Sequence, residues 1–198
     1  MPITINEQYP GSNKIYLSES LRESGNSTLE IFGKNNTIEI LNPIACAHLY
    51  IKITGDNSIK IDHNCVLNGV NIHLLQPGSL DIGEGTGFNG HSNIHMHESA
   101  KITIGRHCLI AAGTNFASSH IHKIVDAATG ERLNPPGDIT LEDHVWSAGS
   151  VHFWGGSYIG RDSVVGQGTM VSRKKFPPNS LIVGTPARIA REGINWEF

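Results

Sequence analysis

The 198-residue sequence predicts an all-β fold, a parallel β-helix in which one coil carries a long inserted loop. Three observations predict it. A strand phrase recurs at nearly constant spacing, a six-residue beat takes over from Leu141, and glycine is abundant (22 residues) while helix formers are thin before the last dozen positions.

The phrase is a turn residue followed by apolar, any, apolar, and it appears as NKIYL, NTIEI, NSIKI, GSLDI, AKITI and GDITL. Its final residues, Leu17, Ile40, Ile61, Ile82, Ile104 and Leu141, are spaced by 23, 21, 21, 22 and 37. Near-equal spacings mean coils of equal length stacked on one another. The last spacing means that one coil has grown by about fifteen residues, because insertions in a stacked solenoid leave as loops. That loop is residues 119 to 138.

From Leu141 the chain reads as the hexads LEDHVW, SAGSVH, FWGGSY, IGRDSV, VGQGTM and VSRKKF. The first position is apolar in five of the six, and the fifth is small or β-branched in the first five: Val145, Val151, Ser157, Ser163 and Thr169. A coil of three flat strands, with a small side chain beneath each tight corner, produces this beat. Upstream, IDHNCV, IGEGTG and IGRHCL place Cys65, Thr86 and Cys108 on the same corner ladder as Val145 and Ser163.

Two of the three cysteines are thereby small apolar fillers, and an odd number at wide spacing, with Cys46 the third, fits neither a disulfide frame nor a thiolate zinc site. A β-sandwich or up-and-down barrel would show hairpin turns and no constant coil length. One domain, 1–198, is expected, with a short C-terminal tail over about 184–198. Trp196 and Phe198 are expected to cover the open C-terminal end of the core and MPITINEQYPGS to cap the other, since an uncapped solenoid end is an open sheet edge.

The charge balance, 15 Lys and Arg against 18 Asp and Glu, lacks the basic surplus that nucleic-acid binding needs. No apolar run approaches the roughly 20 residues that cross a bilayer, and MPITINEQYP lacks the basic start and apolar stretch of a signal peptide, so no membrane insertion and a cytoplasmic location are expected.

The eleven histidines must be sorted by position. His63, His107 and His144 fall at turn positions inside hexads and read as structural. His91, His95 and His97 are close in sequence, but on a flat strand only His95 and His97 share a face, so no metal site is expected. His120 ends the strand phrase FASSH where the chain leaves the regular coil for the loop, which sets an imidazole at the rim with a cover beside it.

The hexads IGRDSV and VGQGTM, followed after a short break by VGTPAR, resemble the ending of the hexapeptide-repeat acyltransferases. More specifically, SSH and then TGERLNPPGDITLEDHVW resemble the branch that O-acetylates bacterial capsular sialic acid polymers and related surface sugars. The resemblance covers residues 80 to 198 well and the upstream coils more loosely. It implies a left-handed helix, a hand that periodicity does not supply, since parallel crossovers are otherwise overwhelmingly right-handed. It also implies acetyl-CoA as co-substrate, a saccharide acceptor, and a homotrimer with its sites between neighbouring prisms. The β-helical carbonic anhydrases share the fold only, and their pair of zinc-binding histidines five positions apart has no counterpart here.

Acetyl transfer from a thioester to a hydroxyl needs a base, donors for the oxyanion and two substrates held in line. The resemblance assigns the base to His120, with His122 the alternative. An unperturbed imidazole pKa of about 6.5 keeps the proton-accepting form abundant near neutrality. A backbone carbonyl is expected to set its tautomer, with Asp126 a weaker candidate.

The resemblance also places Trp146 beside the histidine and the thioester. Backbone N–H groups from Trp146 to Gly149 are candidates for the oxyanion. Ser147, Gly149, Gly166, Ser172, Arg173, Lys174 and Arg188 are the cofactor candidates. Ser147 departs from the family, which usually has isoleucine after HVW, and puts a hydroxyl at an inward position. It either bonds a neighbouring carbonyl or alters the acceptor pocket. N-acetylation of an amino sugar and a non-catalytic scaffold or glycan-binding module remain the other functions, although a scaffold needs no rim histidine at a loop.

Overall fold

The computed structural model describes residues 3–22 and 26–198; Met1 and Pro2 of the expected N-terminal cap lie outside the described residues. The chain winds into a parallel β-helix with three faces. The first face stacks eight strands: Lys14–Leu17, Thr37–Ile40, Asn57–Ile61, Gly78–Ile82, Lys101–Ile104, Ile139–Leu141, Tyr158–Ile159 and Lys175–Phe176. Their register pairs Leu17 with Ile40, Ile40 with Ile61, Ile61 with Ile82, Ile82 with Ile104, Ile104 with Leu141 and Leu141 with Ile159. The repeat in the sequence is therefore the physical ladder of the core.

The second face includes Ala45–Ala47, Leu109–Ala111, Trp146–Ser147, Val164–Val165 and Ser180–Val183; the third includes Thr4–Glu7, Thr28–Ile31, Tyr50–Ile53, Asn115–Ala117, His152–Trp154 and Met170–Val171. Two long strands, Val66–Leu74 and Gly87–Met96, bend across the corner and serve both faces. The first residue of every hexad, Ser147 included, points inward and is buried.

Corners turn through left-handed residues, and where these are not glycine they are mostly Asn, Asp or His, the types that tolerate that conformation best. His107 and His144 are two of them, on one corner with Asn64, Gly85, Asp162 and Asn179. Beneath that corner the fifth-position residues are fully buried, and they link coil to coil. Thr86 Oγ1 donates to the Gly105 carbonyl at 2.7 Å and accepts the Cys108 N–H at 3.1 Å. One coil later, Cys108 Sγ lies 3.2 Å from the Glu142 carbonyl and receives the Val145 N–H. Ser163 repeats the pattern toward Pro177 and Ser180. Burial pushes the Cys65 and Cys108 thiols up to about 11 and about 12, so neither is a nucleophile.

Both ends differ from the sequence expectation. At the N-terminus Thr4–Glu7 is a regular strand paired with Thr28–Ile31, and the helical turn Glu19–Arg22 takes the place of a strand, burying Leu21. At the C-terminus Arg188–Glu192 folds back antiparallel on Ser180–Val183. Beyond it the tail climbs the corner instead of covering the core end. Ile194 bonds Asn179, and Trp196 stacks on His144, two coils up, with ring centroids 4.3 Å apart and its Nε1–H on the His144 carbonyl. The tail thus ties together two corners that lie two coils apart.

The corner ladder sets a stability prediction. Thr86→Val keeps the volume but leaves the Gly105 carbonyl and the Cys108 N–H without their partner, and should destabilise the protein by about 1–3 kcal/mol. Thr140→Val, on the outer side of the first face, should stay within about 0.5 kcal/mol. Urea denaturation of the two variants checks this, and equal midpoints would refute it.

Candidate active site

The regular coil breaks at Ser118, and the loop closes its own neck: the Gly137 N–H donates to the Ser118 carbonyl at 3.0 Å. The neck is tight enough to demand glycine at Gly155, where a Cβ would fall 2.2 Å from the Ser118 oxygen. The sequence places the loop at 119–138, and the strands on either side, Asn115–Ala117 and Ile139–Leu141, agree.

Such a loop would be expected to need a neighbouring chain to order it, but this one is tied down by its own subunit. Asn134, buried, accepts the Ile124 N–H and donates to the His122 carbonyl. Arg132 makes a two-pronged ion pair with Glu98, both contacts 2.7 Å. Asp126 caps the turn at Ala128 and Thr129, so it is committed there and does not orient His120.

His120 stands at the neck. The residue after it, Ile121, has φ +63, and the His122 N–H returns to the His120 carbonyl at 2.6 Å, a three-residue γ-turn centred on a β-branched residue. That conformation is strained, of order 1–3 kcal/mol, and such strain clusters where a side chain must be aimed. The His120 ring stacks on Trp154, centroids 4.1 Å apart and planes 23° off parallel. Trp154 stands directly below Ala117 in the strand register, so the imidazole leans across the third face. Beside this pair lies a hollow of about 260 Å³, lined by His95, Asn115, Ala117, His152 and Trp154 among others.

Trp146 is not part of this cluster within one subunit. It lies on the second face between Leu109 and Val164, with its ring 5.9 Å from that of Trp196. Gly149 lies at the corner between the second and third faces, joined to the next coil by the Gly168 N–H on its carbonyl. Its surroundings are open, a Cβ there meeting only the Ala112 oxygen at 3.5 Å. The N–H groups of Trp146, Ala148 and Ser150 are spent on neighbouring coils, whereas that of Gly149 has no partner among the described residues. Gly166 stands one coil below.

Ser147 is corrected as a cofactor contact. Its side chain is fully buried and its hydroxyl lies 3.2 Å from that of Thr114, which bonds the Ala111 carbonyl. This is the inert alternative, an inward hydroxyl satisfied inside the core.

The remaining cofactor candidates are divided in space. Ser172 and Arg173 lie at the corner between the third and first faces, with Arg173 bonding the loop carbonyl of Pro135. Lys174 Nζ donates to the Ala187 carbonyl at 2.8 Å, next to Arg188 on the final strand. Exposed apolar side chains, Ile121, Ile124, Val125 and Leu133, gather on the loop. Among the described residues no cluster of metal-ligating side chains forms, and no helix is long and apolar enough to cross a membrane.

The sequence missed Trp154, Ala117 and the γ-turn. Aligning NFA with HFW by the coil register would have brought Trp154 under Ala117; nothing local announces Ile121.

Comparison with known proteins decides the family. The chain is 32% identical to the polysialic acid O-acetyltransferase of Neisseria meningitidis over 169 residues, which is 85% of this chain and 78% of the relative. The chain belongs to the hexapeptide-repeat acetyltransferases. It is also 32% identical to the galactoside O-acetyltransferase of Escherichia coli K12 over 126 residues, 63% of this chain and 55% of that relative. The crystal structure of the polySia-specific acetyltransferase NeuO superposes with a TM-score of 0.86 over 100% of this chain and 89% of that one at 22% identity, which supports the β-helical fold. No family model matches the chain.

Two predictions follow from the way this acetyltransferase holds its loop. Ile121→Gly removes the strain and should leave the denaturation midpoint unchanged or raised while loosening the His120 backbone, read as faster amide exchange at residues 119–124; a lower midpoint would contradict the strained turn. The Arg132 ion pair holds the Glu98 carboxyl down at about 2, below the ordinary value near 4.5. A lowered folded-state pKa stabilises above the ordinary value and loses its effect as pH falls toward the folded value. Loop protection factors, taken against the intrinsic amide exchange rate at each pH, should therefore be flat from pH 7 to 5 and fall between about 4.5 and 2 in the wild type, whereas Glu98→Gln should show low protection throughout.

Proposed function

We propose that this acetyltransferase moves an acetyl group from acetyl-CoA to a hydroxyl of a bacterial surface saccharide or its precursor, with His120 as general base. The observation that carries the reading is His120 itself, aimed by a strained turn and stacked on an indole at the loop neck of a chain in this family. The neutral imidazole would take the hydroxyl proton as the oxygen attacks the thioester carbonyl. The proton would then pass to the departing CoA thiolate, so no covalent enzyme intermediate is needed.

The donor groups lie on the other side of the prism, and this favours a homotrimer. Trp146 sits one coil below His120 in the stack but on the second face, so a cyclic neighbour at the same height could present Trp146, Gly149 and Gly166 to His120 and Arg173 of the first subunit. The unpaired Gly149 N–H is suited to the oxyanion there. Arg173, Lys174 and Arg188 are suited to the CoA phosphates. The exposed apolar cluster on the loop is suited to the seam between copies. Its donor is a cytoplasmic metabolite, and the cytoplasm is the compartment proposed.

The test is transfer from acetyl-CoA to saccharides, read by mass spectrometry. His120→Ala should lower kcat by about 10² to 10⁴ with acetyl-CoA affinity and thermal midpoint nearly unchanged. If His120→Ala retains turnover and His122→Ala does not, the base is His122.

A further inference from the structure

Outward side chains on the third face form a row, in register from one coil to the next: His73, His95, Ala117 and Trp154. His73 and His95 stack face to face, centroids 5.0 Å apart and planes 10° off parallel, and Tyr50 meets the far side of His73 edge-on at 5.5 Å. Three steps of about 4.8 Å carry the row roughly 14 Å from His73 to Trp154, where it meets His120.

A row serving only to stabilise the sheet would fill every step with a stacking side chain, as His73 and His95 do. Ala117 breaks it instead. The missing ring is the hollow of about 260 Å³, which has an imidazole above, the Trp154 indole below and polar groups along its edge.

Those polar groups are usable. The ring nitrogens of His95 and His152 have no hydrogen-bond partner among the described residues. Beside the row, Asn71, Asn93 and Asn115 form an amide ladder, Nδ2 to Oδ1 at 3.3 and 2.8 Å. Planar faces flanked by amide and imidazole edges suit a pyranose ring, which offers apolar C–H faces and hydroxyls around its rim. Burial holds His73 below the ordinary imidazole value and His95 down at about 4, so the stack is uncharged at neutral pH and recognition along it does not need an anionic sugar.

We propose that His73, His95, Ala117 and Trp154 form a saccharide-binding track along the third face, with one sugar ring seated over Ala117 between His95 and the stacked pair of Trp154 and His120. The acceptor is then an oligosaccharide lying along the helix axis, its acetylated ring at His120 and its further rings against the outer edges of His95 and His73. This rests on the acetyltransferase reading above and deepens it to a multi-residue acceptor.

The experiment is a binding titration of the full-length protein and its Ala117→Trp, His95→Ala and His73→Ala variants on immobilised galactose and sialic acid oligomers of one to six residues, with acetyl transfer measured in parallel. Wild type should retain at least one oligomer of three or more residues more tightly than its monosaccharide. Ala117→Trp and His95→Ala should each weaken that binding at least tenfold, and His73→Ala should weaken only the longer members, all three with an unchanged KM for acetyl-CoA and unchanged thermal midpoint.

Equal affinity for all lengths, retention unaffected by Ala117→Trp, or no retention of any oligomer would each overturn the track. The two proposals fail separately. Acetyl transfer that survives Ala117→Trp at wild-type KM for the acceptor sinks the track alone, whereas length-dependent binding without transfer sinks the transferase and leaves the track.

Discussion

Each coil of this protein passes its backbone hydrogen bonds to the next, and everything else depends on that pairing. Parallel strands at about 4.8 Å leave no freedom to drift, so a residue's position in its coil fixes both its face and its height. The inward positions must then be apolar in every coil, as Leu17, Ile40, Ile61, Ile82, Ile104 and Leu141 are. The corners must be narrow, which is why a buried Thr, Cys or Ser sits under them and bonds the coil below. A single longer coil is admissible only if its extra residues leave and return at one point, and the bond between Ser118 and Gly137 is that point. The rim position of His120 is a consequence of this closure.

What was legible in the sequence is what the pairing dictates. The register of the first face, the fifth-position ladder, the limits of the loop and the structural character of His107 and His144 all follow from counting, because the solenoid repeats the same environment every coil. The ends were not legible, because they have no coil beyond them to enforce the pattern. Glu19–Arg22 replaces a strand at the first coil, where a missing strand breaks only one side of the pairing. Trp196 finds a better partner in His144 and its carbonyl than in the open core end, since there its indole N–H is satisfied as well as its ring. The strained Ile121 is invisible for the opposite reason: local propensity argues against it, and only the closed neck imposes it.

The site divides its requirements between a rigid part and a strained part. Trp154 and Ala117 belong to strands whose heights are fixed by neighbours on both sides, so the surface beneath the imidazole cannot shift without disturbing the stack. His120 itself is outside the ladder, and the γ-turn, the Asn134 bonds and the Glu98–Arg132 pair replace the missing coil contacts. A base on a free loop would lose most of the benefit of proximity, because each accessible orientation dilutes the one that reacts. Ordering by the subunit's own loop keeps that orientation independent of whatever later covers it.

The same geometry explains why one prism is a poor candidate for a complete site. A corner separates the third face from the second, so Trp146 and Gly149 look away from His120, and no side-chain motion brings a flat sheet face around a corner that is hydrogen-bonded at every coil. A loop could close such a distance, but the long loop at 119–138 is pinned back through Arg132 and Asn134. On the roles proposed for His120, Trp146 and Gly149, a second copy would join base and donor groups, and a cyclic arrangement with its axis along the solenoid preserves height. Groups one coil apart in one chain remain one coil apart across the seam, which is close to the reach of an imidazole leaning over its tryptophan. Assembly in this reading is a way of bringing together two faces that a stiff helix must keep apart, and the stiffness that separates them is also what sets them at matching levels.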